Sequence, residues 1–283
     1  MGPRLLIIGA MKAGTSSLYE DLRAMRGFAF PIGKEPDNLL TDDVLTQAGR
    51  EAYANAYADL PRDVVGVDAS AQYTLRPHFG DVASRAREVL GPDLRLVYVM
   101  RHPIARAISH HHFDAAMGWG SLDFDAELER NPYFIDGGRY AYQLEPWLDA
   151  FGTDQLLPIT FEHYIRKRGE VARRIADFAN ADPTPEQAPP RAPAHQTSGI
   201  RRQRPLAQRL ARLPAYRRIV RPLVPEKLRQ AAHRATSDAA PPRPSPPSQA
   251  SIDRMVEAFE PDQRRLAELL GPAAPSWDLA SLS

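Results

Sequence analysis

The sequence predicts an α/β fold in three layers, a short parallel sheet between helices, and three observations carry that expectation. Leu5 to Gly9 form an apolar run that opens through a loop of small residues onto a helical pattern. Leu94 to Met100 (LRLVYVM) form a second run, and Val64 to Thr74 (VVGVDASAQYT) contain a third. Val-, Ile- and Leu-rich runs without polar alternation belong to strands covered on both faces, as parallel strands are.

The first run continues into AMKAGTSSLYEDL, where Thr15 or Ser16 is placed to cap the helix. Backbone N–H groups of Ala13, Gly14, Thr15 and Ser16 are expected to converge there on phosphate oxygens, helped by the positive end of the helix dipole. Lys12 adds a full charge. Gly9 and Gly14 have the G-x-x-x-x-G spacing of a nucleotide-binding P-loop, so the three-layer fold expected is P-loop-like. A Walker A loop sets its lysine directly after the second glycine. Here Thr15 stands at that position and Lys12 lies two residues ahead of Gly14, which suits a nucleotide with a single 5′ phosphate better than a triphosphate. An ordinary strand-to-helix turn is the plain alternative.

The second run ends in RHPIARAISHHHF, which puts Arg101 at the C-terminal end of a strand. Ligands of open α/β sheets bind at those ends, so Arg101 and the first loop are expected to face one ligand. Pro103 suits the first turn of a helix, from which Arg106, Ser109 and His110 project on neighbouring faces. Arg101, through its planar fork, and Ser109, through its hydroxyl, are candidates for a second phosphate.

At these residues the chain resembles the sulfotransferase family that uses 3′-phosphoadenosine-5′-phosphosulfate (PAPS). KAGTSSLYEDL resembles its 5′-phosphosulfate loop, and RHPIARAISHHHF its 3′-phosphate motif, an Arg-x-Pro with Ser six residues after the proline. GRYAYQLEPWLDAFGTDQLLPITFEHY (Gly138 to Tyr164) resembles the family's long helix leading into a late strand, and FEPDQRRLAELLG (Phe259 to Gly271) its closing helix. The likeness is greatest to the bacterial and heparan-sulfate-type branch, because Leu18 stands where phenol and steroid enzymes commonly have Trp. That branch carries a Lys-Gly-Arg loop near its C-terminus, which this chain lacks; Arg243, or Arg201 and Arg202, are the candidate substitutes.

The resemblance implies sulfuryl transfer from PAPS, leaving 3′-phosphoadenosine 5′-phosphate (PAP), without metal. Lys12 would stabilise the leaving phosphate. Glu35, in FPIGKEPDNLL, would be the base, with Leu39 and Leu40 in place of the family's hydrophobic pair; the alternative is a surface pair with Lys34 or Arg26. Asp68 and Ser70 would line the acceptor cleft, Asp68 orienting the acceptor or holding Lys12, although Ala71 replaces the usual proline. As the plain alternative, Asp68 caps the strand end. His110 is a more distant candidate and the second choice of base. His110, His111 and His112 point about 100° apart on a helix and cannot share one metal. Trp119 and Phe124, in MGWGSLDF, are candidate acceptor contacts or core staples, whereas Tyr53, Tyr57 and Trp147 read as packing residues.

Composition bounds the rest. The 283 residues suffice for one domain, 1–283, with a normal core at 43% hydrophobic residues. Apolar runs of six or seven residues are too short to span a membrane, no secretory signal is read, and cysteine is absent. A reducing cytoplasm is therefore expected, and the Ala, Arg and Pro usage points to a bacterial source. Charge is asymmetric: between Ala188 and Arg243 thirteen Lys or Arg face two acids, about +11, leaving about −10 elsewhere against a total of +1. This proline-bounded segment, 188–248, is expected to be a basic helical insert, either a lid over the donor or a solvated subdomain, followed by a closing helix over 249–271. Acceptors consistent with this are a small molecule, a natural product, a carbohydrate or a lipid, with peripheral membrane contact through the insert as a further option; nothing reads as a nucleic-acid site. The competing functions are an ATP-dependent phosphotransferase and a non-catalytic binder of anionic glycans or lipids.

Overall fold

The computed structural model of the protein describes residues 2–185, 202–203, 237–238 and 244–281. Leu5, Leu6, Ile7 and Ile8 have no exposed surface, as an apolar run without alternation requires. They form β1 (Leu5–Gly9), the middle of a five-stranded sheet with α1 (Thr15–Arg23) after it. The order is β2-β3-β1-β4-β5, with β2 (Phe28–Ala29), β3 (Val65–Ala69), β4 (Arg95–Met100) and β5 (Leu156–Thr160), and every neighbouring pair is parallel. The three sequence runs are thus β1, β4 and β3, side by side, and their C-terminal ends share one edge. The two-residue β2 is an addition to the expected sheet.

The helical patterns give α2 (Gln47–Asn55), α3 (Val82–Leu90), α4 (Pro103–Met117), α5 (Phe124–Arg130), α6 (Tyr133–Asp136), α7 (Tyr140–Phe151), α8 (Phe161–Arg166), α9 (Arg168–Ala179) and α10 (Gln249–Leu270). They pack in two groups around the sheet: α1 against α9, and α7 against both α3 and α10. Asp262 of α10 takes the free N–H groups of Ala141 and Tyr142 at 3.0 Å each, so one helix caps the other where α7 has no cap of its own. On the other side Asp21 of α1 is buried and accepts from Tyr164 (2.7 Å) and Arg168 (2.9 Å), fixing α1 to α8 and α9.

A second, smaller core joins Ile104, Phe124, Leu128, Phe134, Met255 and Phe259. Phe124 has no exposed surface and is a core staple, not an acceptor contact. Most of the basic insert lies outside the described residues, apart from a short antiparallel pairing of Arg202–Gln203 (β6) with Ser237–Asp238 (β7). Arg201 and Arg243, and the lid reading that involves them, fall there too. Among the described residues no helix is long and apolar enough to cross a membrane.

Candidate active site

The loop after β1 is built by glycine where no other residue fits. Gly14 is the N-cap of α1 with φ 93°, and a Cβ there would meet Phe161 Cδ2 at 2.7 Å. Left-handed backbone and a crowded neighbour both exclude a side chain. The expected capping by Thr15 or Ser16 is corrected: both lie inside the helix, and no side chain caps it. The N–H groups that open α1 therefore remain available for an anion. Ala13 is corrected as well, because its N–H donates to Ala10 O (3.1 Å) and closes the loop itself.

Arg101 follows β4 directly. Tyr140 clamps its backbone, its hydroxyl accepting from Arg101 N (3.1 Å) and donating to Arg101 O (2.6 Å). His102 N donates to Glu162 (2.8 Å), and Pro103 starts α4. So held, the Arg101 guanidinium donates to Lys12 O at 3.4 Å and lies 4.8 Å from the Phe161 ring, the ring that also crowds Gly14. The two motif corners meet in one place. Ser109 is half-buried on α4, and Arg106 behind it is fully buried, donating to the carbonyls of Tyr133 and Phe134.

Lys12 Nζ stands 4.0 Å over the Phe113 ring of α4. Burial pushes its pKa down, Asp114 opposes, and Arg101, Lys34 and Arg106 add to the drop, which reaches about 8. Burial also lowers the pKa of Arg101. Among the described residues no carboxylate lies within ion-pair distance of Lys12 or Arg101, and Asp114 and Glu162 act on them only from farther away. Such an arrangement fits a multiply charged anion.

Glu35 lies on the loop after β2. Its N–H donates to Ala69 O (2.9 Å), its Oε2 accepts from Ala71 N (2.9 Å), and its other oxygen pairs with Lys34. Lys34 bridges in parallel to Ala69, so the Glu35 loop lies at the C-terminal end of β3, the strand next to β1. The expected pair with Lys34 is present, and both side chains are part-buried.

Asp68 and Ser70 are corrected. Neither has exposed surface, so neither can line an open cleft. Asp68 accepts from Tyr53 (2.7 Å), Tyr73 (2.8 Å) and Ser70 (3.1 Å), and does not hold Lys12. Burial pushes its pKa up, the three hydrogen bonds oppose, and the result is about 6. Ser70 in turn accepts from Asp37 N (3.1 Å), so this buried hub fastens the Glu35 loop to the end of β3. His110 is corrected too: it is buried, its Nε2 lies 3.6 Å from Asp114, and burial together with Arg106 and Lys12 pushes its pKa down to about 2. A buried imidazole whose proton affinity is lowered in this way is a poor general base. Tyr140, Phe161, Phe113 and Asp114 are site residues that motif spacing did not reveal.

A family model described as "Sulfotransferase domain" matches residues 2–192. The chain belongs to the sulfotransferase family. This sulfotransferase is 29% identical over 189 residues to mouse heparan sulfate glucosamine 3-O-sulfotransferase 3B1, covering 62% of the chain and 45% of that protein. To human heparan sulfate glucosamine 3-O-sulfotransferase 6 it is 27% identical over 184 residues, covering 62% and 52%. It thus spans about half the length of the curated relatives it matches. A solved sulfotransferase from Alicyclobacillus acidocaldarius superposes with TM-score 0.65 over 95% of this chain and 96% of the other at 21% identity, which establishes the shared fold.

Proposed function

We propose that this sulfotransferase moves a sulfuryl group from PAPS to a hydroxyl or amine of an acceptor. The observation that carries the reading is the Arg101 guanidinium on the Lys12 carbonyl, which joins the two anion-binding corners. The N–H groups of Gly14, Thr15 and Ser16, with Lys12, would hold the 5′ end of the donor; Arg101 and Ser109 would hold its 3′-phosphate. PAPS, when bound, supplies an SO3 unit. The S–O electron pair passes to the bridging oxygen of the departing phosphate, and the acceptor oxygen or nitrogen forms the new bond to sulfur.

Lys12 meets the charge that develops on the departing oxygen, a contribution of roughly 3 to 4 kcal/mol for one well-placed donor. Glu35 takes the acceptor proton, its carboxylate held by Ala71 N–H so that it keeps one orientation. The names of the relatives, glucosamine 3-O-sulfotransferases, support a sugar hydroxyl as acceptor.

Calorimetry with PAP and a PAP-release assay test the proposal together. Micromolar or tighter PAP binding is expected, weakened at least tenfold in Arg101→Ala, a loss of about 1.5 to 3 kcal/mol for a charge-assisted hydrogen bond. Glu35→Gln should keep PAP affinity and lose turnover. Absent PAP binding rejects the donor assignment, and full turnover in Glu35→Gln rejects the base.

A further inference from the structure

We propose that Trp277 sets the aim of Arg101 and is thereby a positioning residue for recognition of the donor's 3′-phosphate; this deepens the sulfuryl-transfer reading above and rests on it. Arg101 can offer a phosphate its planar fork only if its backbone is held, because two parallel N–H bonds tolerate little misalignment. The hold comes from behind. Tyr140 bonds both Arg101 N and Arg101 O through its hydroxyl, and His102, the next residue, is buried. Trp277 touches both supports, its ring centroid 5.7 Å from that of Tyr140 with planes at 48°, and 6.4 Å from that of His102 with planes at 67°.

The indole is itself fixed on the far side. Gln263 of α10 grips its backbone at both polar groups, Trp277 N donating to Gln263 Oε1 at 3.2 Å and Gln263 Nε2 donating to Trp277 O at 3.1 Å. The ring packs on the main core and also on the smaller one that holds Ile104 and Phe259, in which the neighbouring Leu279 is buried. A side chain wedged between two packed cores has little room to move. Without the indole, the Tyr140 and His102 rings would each lose a wall, and the two bonds that Tyr140 makes to the Arg101 backbone would lose their backing.

A hydrogen bond from the same segment reaches the arginine corner directly. His102 Nδ1 accepts from Ala105 N (3.4 Å), capping α4, which leaves the ring proton on Nε2; Nε2 then donates to Asp278 O at 3.1 Å. Asp278 O also accepts from Ser281 N (3.0 Å), and Asp278 Oδ1 accepts from Ala280 N (3.1 Å). The carbonyl that receives the His102 proton thus belongs to a closed turn. Trp277 and Asp278 therefore brace the residue after Arg101 by a ring contact and a hydrogen bond, and Tyr140 by a ring contact, so the whole corner is set from α10.

Calorimetry with PAP in a double-variant cycle tests this, because a residue that acts through Arg101 loses its effect once the guanidinium is gone, whereas one that only supports the fold does not. Trp277→Ala is expected to weaken PAP binding about tenfold in the parent background and less than about twofold in the Arg101→Ala background. Trp277→Phe, which keeps a ring against Tyr140, is expected to lose less than about threefold. Where Trp277→Ala is unfolded at the assay temperature, His102→Asn decides in its place: asparagine still caps α4 but is too short to reach Asp278 O, and a loss of about threefold or more, confined to chains that keep Arg101, is expected. Parent-like PAP affinity in the deciding variant, or an equal loss with and without Arg101, overturns the inference while leaving the donor assignment standing. Failure of PAP to bind the parent protein removes the donor assignment and this inference with it.

Discussion

Replacing Lys12 by methionine should make the unliganded protein more stable while removing its donor binding. The buried ammonium has its pKa lowered from 10.5 to about 8, chiefly by desolvation. At 1.36 kcal/mol per tenfold, that difference corresponds to about 3 kcal/mol by which the charged lysine destabilises the fold. Below about pH 8 the lysine is protonated in both folded and unfolded states, and the penalty is present in full. Between about pH 8 and 10.5 the unfolded chain holds more protons, so wild-type stability rises with pH and the penalty fades. Methionine keeps an unbranched chain and can make a sulfur contact with the Phe113 ring that Lys12 covers at 4.0 Å. Urea titrations of both proteins should give a Lys12→Met advantage approaching 3 kcal/mol near pH 7, falling to about half or less near pH 9.5. A variant less stable than wild type at pH 7, or an advantage independent of pH, would refute the reasoning.

Other perturbations follow from the same contacts. PAP affinity of the wild type should decline as pH rises through about 8, where Lys12 loses its proton in the empty site; a flat calorimetric profile from pH 7 to 9.5 would contradict this. Gly14→Ala places a methyl 2.7 Å from Phe161 at φ 93° and should cost about 2 to 5 kcal/mol in stability, with PAP binding lost; unchanged melting and binding would rule out the assigned loop geometry. Asp68→Ala leaves the hydroxyls of Tyr53, Tyr73 and Ser70 without their acceptor and should destabilise by about 3 kcal/mol or more, read by urea titration; a change under 1 kcal/mol would deny the hub its role.

The sheet was legible because its strands are buried on both faces, and Leu5 to Ile8 and Leu96 to Met100 therefore show no charged residue and no polar alternation. The position of Arg101 was legible for a related reason: strand ends in an open sheet point to one edge, so spacing alone placed the arginine near the first loop. What escaped depends on contacts between distant residues. Nothing in DAS announces that Tyr53 and Tyr73 will close over Asp68, and without them an aspartate at a strand end reads as a cleft residue. His110 reads as a base until Arg106 and Lys12 are seen to share its buried surroundings. Ala13 looked like an anion donor because a loop sequence does not reveal which of its N–H groups turn inward. The edge-to-face contact of Phe113 with Trp119 depends on where α4 ends, which the stretch MGWGSLDF does not announce.

The central claim is that the first loop and the Arg-His-Pro corner grip one adenosine bisphosphate. Calorimetric titration of PAP into the parent protein, Lys12→Ala, Arg101→Ala and the double variant tests it most directly. The account predicts micromolar or tighter binding by the parent, a loss in each single variant, and a double-variant loss that departs from the sum, because the two cationic side chains act on one another electrostatically. No PAP binding by the parent, or parent-like affinity in either single variant, would contradict it.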